Sequence, residues 1–285
     1  ARARAAAGGA RASASWRTPR RRSGLAPSPA LPAGALVVDE VLGRPPRLPA
    51  DLGAIAETLA AIHALAVPPS AGRAPLPDPA DPFGATLAQI DVNAAFLAAA
   101  GLAEAAHRQI ADELIWARDF ARDFVPHLGP CPRALTVADA HPGNFLVTAD
   151  GVAWFVDLEK AQYGCPAIDL AHATLRPATL WDRDSACVLA RSEVADFYAQ
   201  YLARRGAAAA AALGPWLAPL RRLTWLRTTT AFARFAAEGT ARLLAPDRAA
   251  HAEAAIAQCL ETANIASMRA EWLAREGEPS GGFTF

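Results

Sequence analysis

The sequence predicts an α+β fold that is predominantly helical, with one small β cluster near the middle of the chain. Two observations indicate this class. Helical periods of apolar residues occur on both sides of the centre, and three short β-like runs lie within residues 134–157. A third observation is the pair Asp150-Gly151 inside that segment, which is a strong signal for a β-hairpin turn. With 285 residues, the chain can form one large domain or two small ones.

The predicted elements begin with residues 35–46, which favour a short strand that runs into a turn containing Gly and Pro. Residues 49–65 predict a helix with Asp51 as its N-cap. The apolar face of this helix consists of Leu52, Ile55, Leu59, Ile62 and Leu65. After a Pro-rich loop, further helices are predicted at about 83–100, 103–126, 166–174, 185–204, 214–238 and 247–274.

The composition is that of a globular protein, because 53% of the residues are hydrophobic and 20% are charged. The longest uncharged runs are short and interrupted by Gly and Pro, so we expect no transmembrane helix, no membrane partner and no secretory signal. The cysteines have no metal-site or disulfide spacing, and we expect reduced thiols in a cytoplasmic protein. They are Cys131, Cys165, Cys187 and Cys259.

The charge is unevenly distributed, although the formal net charge is zero. The first 22 residues contain seven arginines and no acidic residue. Without those arginines, residues 23–285 hold 21 basic and 28 acidic side chains, a net charge of −7. An acidic body argues against binding of nucleic acid.

Residues 1–33 have no helical or strand period and predict a basic, disordered tail. Two alternatives stay open. The segment is rich in Arg and free of acidic residues, as organelle transit peptides are. It can also be a misplaced start, since the chain has one lysine, Lys160, against 27 arginines. Such a bias indicates GC-rich coding DNA, in which an out-of-frame start reads as Arg, Ala, Gly and Pro.

The segment DAHPGNFLVTADGVAWFVD (139–157) places oxygen-bearing side chains around the predicted hairpin. If Asp150 and Gly151 form a two-residue turn, Asn144 pairs with Asp157, and paired Cα atoms lie about 4.5–5.5 Å apart. Asp139 heads the loop that leads to Asn144. Single Asp and Asn residues in loops more often bind backbone amides, but this combination of oxygen ligands suits Mg²⁺ with phosphate oxygens.

The motifs DAHPGNFLV, FVDLE and GCPAIDLAHAT resemble those of the aminoglycoside phosphotransferase and choline kinase family, which has a protein-kinase-like fold. The stretches LVVDEVLGRPP and LAAIHAL resemble the hinge strand and the first C-lobe helix of that family. The resemblance covers about residues 35–240. It implies a tail at 1–33, a hinge strand and turn at 34–50, and a helical C-lobe at 51–285.

The resemblance also implies roles for individual residues. Asp139 would be the catalytic-loop aspartate that accepts the proton of a substrate hydroxyl, and Asn144 and Asp157 would be the Mg²⁺ ligands. Asp169 would accept backbone N–H groups of the catalytic loop. The hinge residues, Asp39 and Val41, would contact the nucleotide.

The implied reaction is Mg²⁺-dependent transfer of the γ-phosphoryl group of ATP to a hydroxyl of a small molecule, either an aminoglycoside-like compound or a metabolite. The acidic body would suit a cationic acceptor. Two other classes stay open: a pseudokinase-like module that binds a ligand without transfer, and a Mg²⁺-dependent phosphohydrolase.

Two features depart from the family pattern. Val137 and Ala138 stand where the family has His-Gly before the catalytic aspartate. No lysine precedes Lys160 and no glutamate precedes Glu40, so the lysine–glutamate pair of a nucleotide-binding N-lobe is not expected. We therefore expect a C-lobe with a truncated or rudimentary N-lobe, weak nucleotide affinity and low turnover.

Several other polar residues are expected to have structural roles. His63 and His172 lie on predicted helices, and His141 lies in the loop before Asn144. Glu159 is expected at the surface, with assistance to a metal as the alternative. The arginine–aromatic run at 221–235 predicts helix packing, with a wall of the substrate pocket as the alternative.

Overall fold

The computed structural model describes residues 40–72 and 76–273. Within these ranges helices dominate, and the predicted mostly helical α+β class is confirmed. The helices are α1 (Leu52–His63), α2 (Pro82–Ala94), α3 (Glu104–Asp123), α4 (Pro166–Thr174), α5 (Arg176–Thr179), α6 (Arg191–Arg205), α7 (Ala207–Glu238), α8 (Pro246–Leu260) and α9 (Thr262–Arg269). The strands are β1 (Ala134–Thr136), β2 (Phe145–Val147), β3 (Ala153–Phe155) and β4 (Gln162–Gly164).

Helix α1 confirms the helix predicted at 49–65. Its predicted apolar face is buried from Leu52 to Ile62, and the helix packs against α6. Asp51 stands at the N-cap position of α1, as predicted, but its side chain caps no amide of the helix. Instead, the Asp51 carboxylate accepts a 2.6 Å bond from Arg44 Nη1 and another from the Arg47 amide. The turn before the helix brings these donors back to Asp51.

The strand predicted at 35–46 is reduced, in the described part of the chain, to a single bridge. Arg44 and Val147 exchange two backbone hydrogen bonds of 2.9 and 2.8 Å. The pairing stops there because Pro45 and Pro46 have no amide hydrogen to donate. The tail at 1–33, Asp39 and the first part of the hinge lie outside the described residues.

Helix α7 is the central helix, and it packs against α2, α4 and α8. It begins before the predicted start at residue 214, and its 32 residues include Pro215 and Pro219. Despite this length, no helix in the described ranges has a stretch apolar enough to cross a membrane.

The helix predicted at 247–274 is divided into α8 and α9 at Glu261, whose backbone is extended. Asn264 Nδ2 donates to the Gln258 carbonyl at 2.6 Å and so satisfies an acceptor at the end of α8. The helix predicted at 185–204 begins only at Arg191. Strand β4 and the short helix α5 were not predicted.

Two small antiparallel sheets frame residues 137–144, which we term the central loop. Strand β1 pairs with β4, and β2 pairs with β3. The central loop leaves β1 and enters β2, so that its position is fixed by one sheet at each end. The three β-like runs predicted within 134–157 are thereby confirmed as β1, β2 and β3.

Candidate active site

The β2–β3 hairpin forms as predicted, but its predicted register is wrong. Val147 pairs with Ala153, and Thr148 accepts a bond from Gly151 and donates one to Val152. The turn therefore has three residues between Thr148 and Val152, with Gly151 at a φ of 80°. Glycine adopts this left-handed conformation without steric cost, so that an Asp-Gly pair suits this loop as well as a two-residue turn.

The observed register pairs Asn144 with Val156, whose amide donates to the Asn144 carbonyl at 3.0 Å. Asp157 follows Val156, so it lies one position beyond the predicted partner of Asn144. Both residues remain at the open end of the hairpin. The prediction that cross-strand pairing places their side chains opposite each other is wrong, because one extra loop residue shifts every pair by one position.

Asp169 of α4 binds the backbone of the central loop, and its side chain is completely buried. The Asp169 carboxylate accepts hydrogen bonds from the Val137 amide at 2.7 Å and the Ala138 amide at 2.9 Å. It also accepts one from His63 Nε2 of α1 at 3.0 Å, since a carboxylate can only accept. The other ring nitrogen of His63 bonds to the Tyr201 hydroxyl at 2.9 Å.

Ala138 has a φ of 58°, the one positive φ of a non-glycine residue in the described ranges. This conformation turns two successive amides, those of Val137 and Ala138, toward one carboxylate. An L-residue in the left-handed region costs about 1–2 kcal/mol. The bonds to Asp169 compensate for part of this cost.

Asp139 follows directly and is mostly buried, with 17% of its side chain exposed. Its Oδ2 accepts a 2.6 Å bond from Lys160 Nζ, and its Oδ1 lies 3.6 Å from His172 Nδ1. Burial raises the pKa of Asp139, but His172, Lys160 and His141 together hold that pKa below its usual value. Since burial and the charge of Arg227 lower the pKa of His172 to about 3, Lys160 is the cation that keeps Asp139 ionised at neutral pH.

Asn144 and Asp157 offer oxygen atoms that the protein leaves largely unused. Asn144 Nδ2 donates to the Asp139 carbonyl at 2.9 Å, which leaves its Oδ1 without a partner in the described ranges. Asp157 is half-buried, and its Oδ1 accepts only a long bond of 3.5 Å from the Glu159 amide. Glu159 is exposed, in agreement with its predicted surface position. One amide oxygen and one carboxylate match the donor set of a Mg²⁺ ion that also binds phosphate oxygens.

A cavity of about 390 Å³ opens beside Asp139. Its walls come from α2, the central loop, the start of β4, α4 and α7, and they include Asn93, His141, His172, Trp181, Arg227 and Phe232. The Nδ1 atoms of His141 and His172 are buried and have no hydrogen-bond partner. Burial lowers the pKa of His141, although Asp139, Asp182 and Asp157 act in the opposite direction. A second cavity, of about 550 Å³ along α7 and α8, lies away from Asp139.

Lys160 and Asp182 lie near Asp139 and were not predicted as parts of the site, whereas Arg227 belongs to the run at 221–235 whose alternative role was a wall of the substrate pocket. Lys160 binds Asp139 directly. Asp182 packs against Gly143, where a Cβ would come within 2.5 Å of its side chain. Arg227 lines the cavity from α7. The presence of a single lysine three residues after Asp157 was a usable sequence signal for Lys160, whereas nothing local indicates Asp182.

The overall fold is similar to that of the Plasmodium vivax ethanolamine kinase, with a TM-score of 0.50 at 12% identity. The alignment covers 77% of this chain and 63% of the ethanolamine kinase, so the chain spans less than two thirds of that protein. This likeness shows a shared fold, and the predicted protein-kinase-like fold class is confirmed.

Two further solved structures are similar over 76% of this chain. The macrolide 2'-phosphotransferase MphH from Brachybacterium faecium has a TM-score of 0.45 at 18% identity, with 67% of that protein covered. LicA, in a complex with AMP, has a TM-score of 0.40 at 15% identity, with 62% covered. None of the curated proteins compared with this sequence matches it.

The sequence model of the APH phosphotransferase enzyme family matches residues 10–216. This match spans more than half of the chain, from the segment that precedes the hinge into the first part of α7. The chain belongs to the APH phosphotransferase enzyme family. The predicted membership in the aminoglycoside phosphotransferase and choline kinase family is confirmed.

Proposed function

We propose that this protein is a cytoplasmic small-molecule kinase that transfers the γ-phosphoryl group of ATP to a hydroxyl of its acceptor. The observation that carries the proposal is the position of Asp139. This carboxylate is kept ionised by Lys160, and it lies at a cavity of small-molecule size. Residue Asn144, which binds the Asp139 carbonyl, links it to the open end of the hairpin.

In the proposed reaction, Asp139 orients the acceptor hydroxyl and accepts its proton. The hydroxyl oxygen forms a bond to the γ-phosphorus as the bond from that phosphorus to ADP breaks, and ADP leaves with the electron pair. General-base assistance of this kind contributes about 10²–10⁴ in rate. The Lys160 side chain is 57% exposed, so it can move aside when a hydroxyl approaches Asp139.

The residues that would hold a metal in this proposal are Asn144 and Asp157. Both have oxygen atoms that are largely free of protein donors, as described above. Mg²⁺ would supply neutralisation of the nucleotide phosphates when bound. Within the described residues, no cluster of three His, Cys, Asp or Glu side chains forms a metal site. A site with two protein ligands therefore depends on phosphate oxygens and water for its remaining ligands.

The proposed roles of the remaining site residues follow from their positions. Asp169 fixes the shape of the central loop through the amides of Val137 and Ala138. In the hinge, Val41 is half-buried and would contact the nucleotide, together with Asp39, which lies outside the described residues. We propose no nucleic acid partner.

Calorimetry with Mg-ATP, together with an assay of ADP release, tests the assignment of Asp157 and Asp139. Asp157→Asn should abolish Mg²⁺-dependent nucleotide binding, because it removes the carboxylate ligand. Asp139→Asn should keep binding within about twofold and lower turnover by about 10²–10⁴. Glu159→Gln, an exposed neighbour, is the matched control and should change neither.

Two results would contradict the proposal. Nucleotide binding that survives Asp157→Asn unchanged would remove the metal assignment. Tight Mg-ATP binding by the wild type without transfer to any hydroxyl compound would instead favour a binding module, the second class that the sequence left open.

A further inference from the structure

The side chains that line the cavity beside Asp139 carry more positive than negative charge. Residues 23–285 as a whole, by contrast, carry a net charge of −7. Among the described residues that line it, Asp139 is the one carboxylate, and its Oδ2 is paired with Lys160. Arg227 is a second cation in the lining. Once the Asp139–Lys160 pair is counted as neutral, Arg227 leaves the cavity with an excess of positive charge.

Arg227 differs from the other arginines on its part of α7. Arg221 Nε donates to Glu271 at 2.8 Å, and Arg222 Nε donates to Glu113 at 2.6 Å. The guanidinium of Arg227 makes no hydrogen bond and no ion pair with any residue in the described ranges. Burial lowers its pKa, and Asp139 and Asp169 act in the opposite direction from beyond ion-pair distance. Arg227 is half-buried, and since an arginine stays charged in proteins, its donors are available to an acceptor in the cavity.

The wall next to Arg227 is aromatic. Trp181 lies with its ring centroid 5.4 Å from that of Phe232 and 6.1 Å from that of Phe235. These rings line the cavity together with Arg227. The other polar lining residues include the neutral amides Gln89, Asn93 and Gln162. Such a lining suits a ligand with an apolar body and one anionic group.

We infer that the acceptor of the proposed kinase is an organic hydroxy acid. Its hydroxyl lies at Asp139, its carboxylate is bound by Arg227, and its apolar body packs against Trp181. A planar guanidinium matches a carboxylate with two parallel hydrogen bonds, which supports a carboxylate as the anionic group. A cationic acceptor, which the net charge of the chain favours, would place its charge near Arg227 without a free carboxylate in the described lining to receive it.

Three compounds of nearly equal shape test this inference, which rests on the proposed function for the role of the hydroxyl. They are para-(hydroxymethyl)benzoate, para-(hydroxymethyl)benzamide and para-(aminomethyl)benzyl alcohol. Calorimetry on the full chain without nucleotide measures the affinity of each. We expect the benzoate to bind about tenfold or more tightly than the amide, since hydrogen bonds to a charged group are the strong ones. The amine should bind weakest.

Variants locate the preference at Arg227. Arg227→Gln should remove the advantage of the benzoate over the amide, and Arg227→Lys should keep part of it. Trp181→Ala should weaken benzoate and amide binding to the same extent, because it removes only apolar contact. Arg234→Gln is the matched control, because Arg234 lies on α7, pairs with Glu238 and is not part of the cavity lining. It should keep the wild-type preference.

The inference is overturned if the amide or the amine binds the wild type as tightly as the benzoate, or if none of the three binds. It is also overturned if the benzoate preference survives in a folded Arg227→Gln variant. The wild-type series decides the question even where this variant does not fold. These titrations contain no nucleotide, so they test the charge preference of the cavity alone. Mg-ATP binding and ADP release test the proposed function separately.

Discussion

The central loop has polar groups on two sides, which we term the lower side, where Asp169 lies, and the upper side, where the cavity beside Asp139 lies. The two sides differ in how far their polar groups are hydrogen-bonded within the protein. Below the loop, the Asp169 carboxylate, the His63 ring and the Tyr201 hydroxyl are all buried and hydrogen-bonded to one another or to loop amides. Burial raises the pKa of Tyr201, so its hydroxyl stays protonated. This side is a closed network in which no donor of the group depends on a ligand.

Above the loop, Asp139 is paired with Lys160, but three other polar groups have no such partner. His141 and His172 each have a buried Nδ1 without a hydrogen bond, and the guanidinium of the half-buried Arg227 has no ion pair in the described ranges. All three line the cavity beside Asp139. Buried polar groups that the fold leaves unsatisfied cost stability. The difference indicates that the polar groups of the lower side stabilise the fold, whereas those of the upper side suit the binding of a polar ligand.

The largest expected effect is on the lower side. Asp169→Ala leaves the Val137 and Ala138 amides and the His63 ring without their acceptor. Removing one partner of a buried charged network costs about 3–5 kcal/mol. Urea denaturation followed by circular dichroism should show a loss of this size in the free energy of unfolding.

The control for Asp169 is Asp247, whose carboxylate pairs with Arg183 at the surface at 2.9 Å. Asp247→Ala should change the free energy of unfolding by less than about 0.5 kcal/mol. If Asp169→Ala lowered the free energy of unfolding no more than this control does, the hydrogen bonds of Asp169 would not be what stabilises the central loop.

The second effect is the pH dependence that His172 gives to the upper side. Its folded pKa of about 3 lies below the ordinary value of 6.5, because the buried ring is desolvated and because Arg227 and Lys160 oppose its charge, while Asp139 favours it. Protonation therefore favours the unfolded state. The stability is complete above pH 6.5 and is lost as the pH falls toward 3, by about 1.4 kcal/mol per pH unit for this one ring.

His172→Gln should remove this contribution, which amounts to about 2–3 kcal/mol between pH 6.5 and pH 4.5. Urea denaturation at both pH values measures it as the difference in acid sensitivity between wild type and variant. The exposed His107 provides the control, and His107→Gln should keep the wild-type slope. A His172→Gln variant that is as acid-sensitive as the wild type would show that the ring accepts its proton in the folded protein.

The sequence predicted the elements that depend on local signals. The helix at Leu52–His63, the helix at Pro166–Thr174 and the three short strands follow from apolar periods and turn residues. The hairpin register was wrong because Asp150-Gly151 suits both two-residue and three-residue loops. The choice between them depends on the pairing of Thr148 with Val152, which is not a property of either turn residue.

The lower side of the loop was easier to predict than the upper side for a physical reason. Asp169 stands in a motif that a family resemblance identifies. The cavity, by contrast, joins residues that are distant in sequence, such as Asn93, Lys160 and Arg227. Their meeting depends on the packing of α7 against α2 and α4, which apolar periodicity does not specify.

The smallest expected effect concerns Ala138, the residue through which the loop reaches Asp169. Its φ of 58° is unfavourable for an L-residue by about 1–2 kcal/mol. Glycine removes this strain but adds about 0.5–1 kcal/mol of entropy to the unfolded chain. Ala138→Gly should therefore stabilise the protein by about 0.5–1 kcal/mol, measurable as a shift of the urea midpoint. Ala140→Gly, in the same loop but at a negative φ, should destabilise it. If both variants lose stability alike, the left-handed turn at Ala138 is not a source of strain, and the amides that bind Asp169 are held without it.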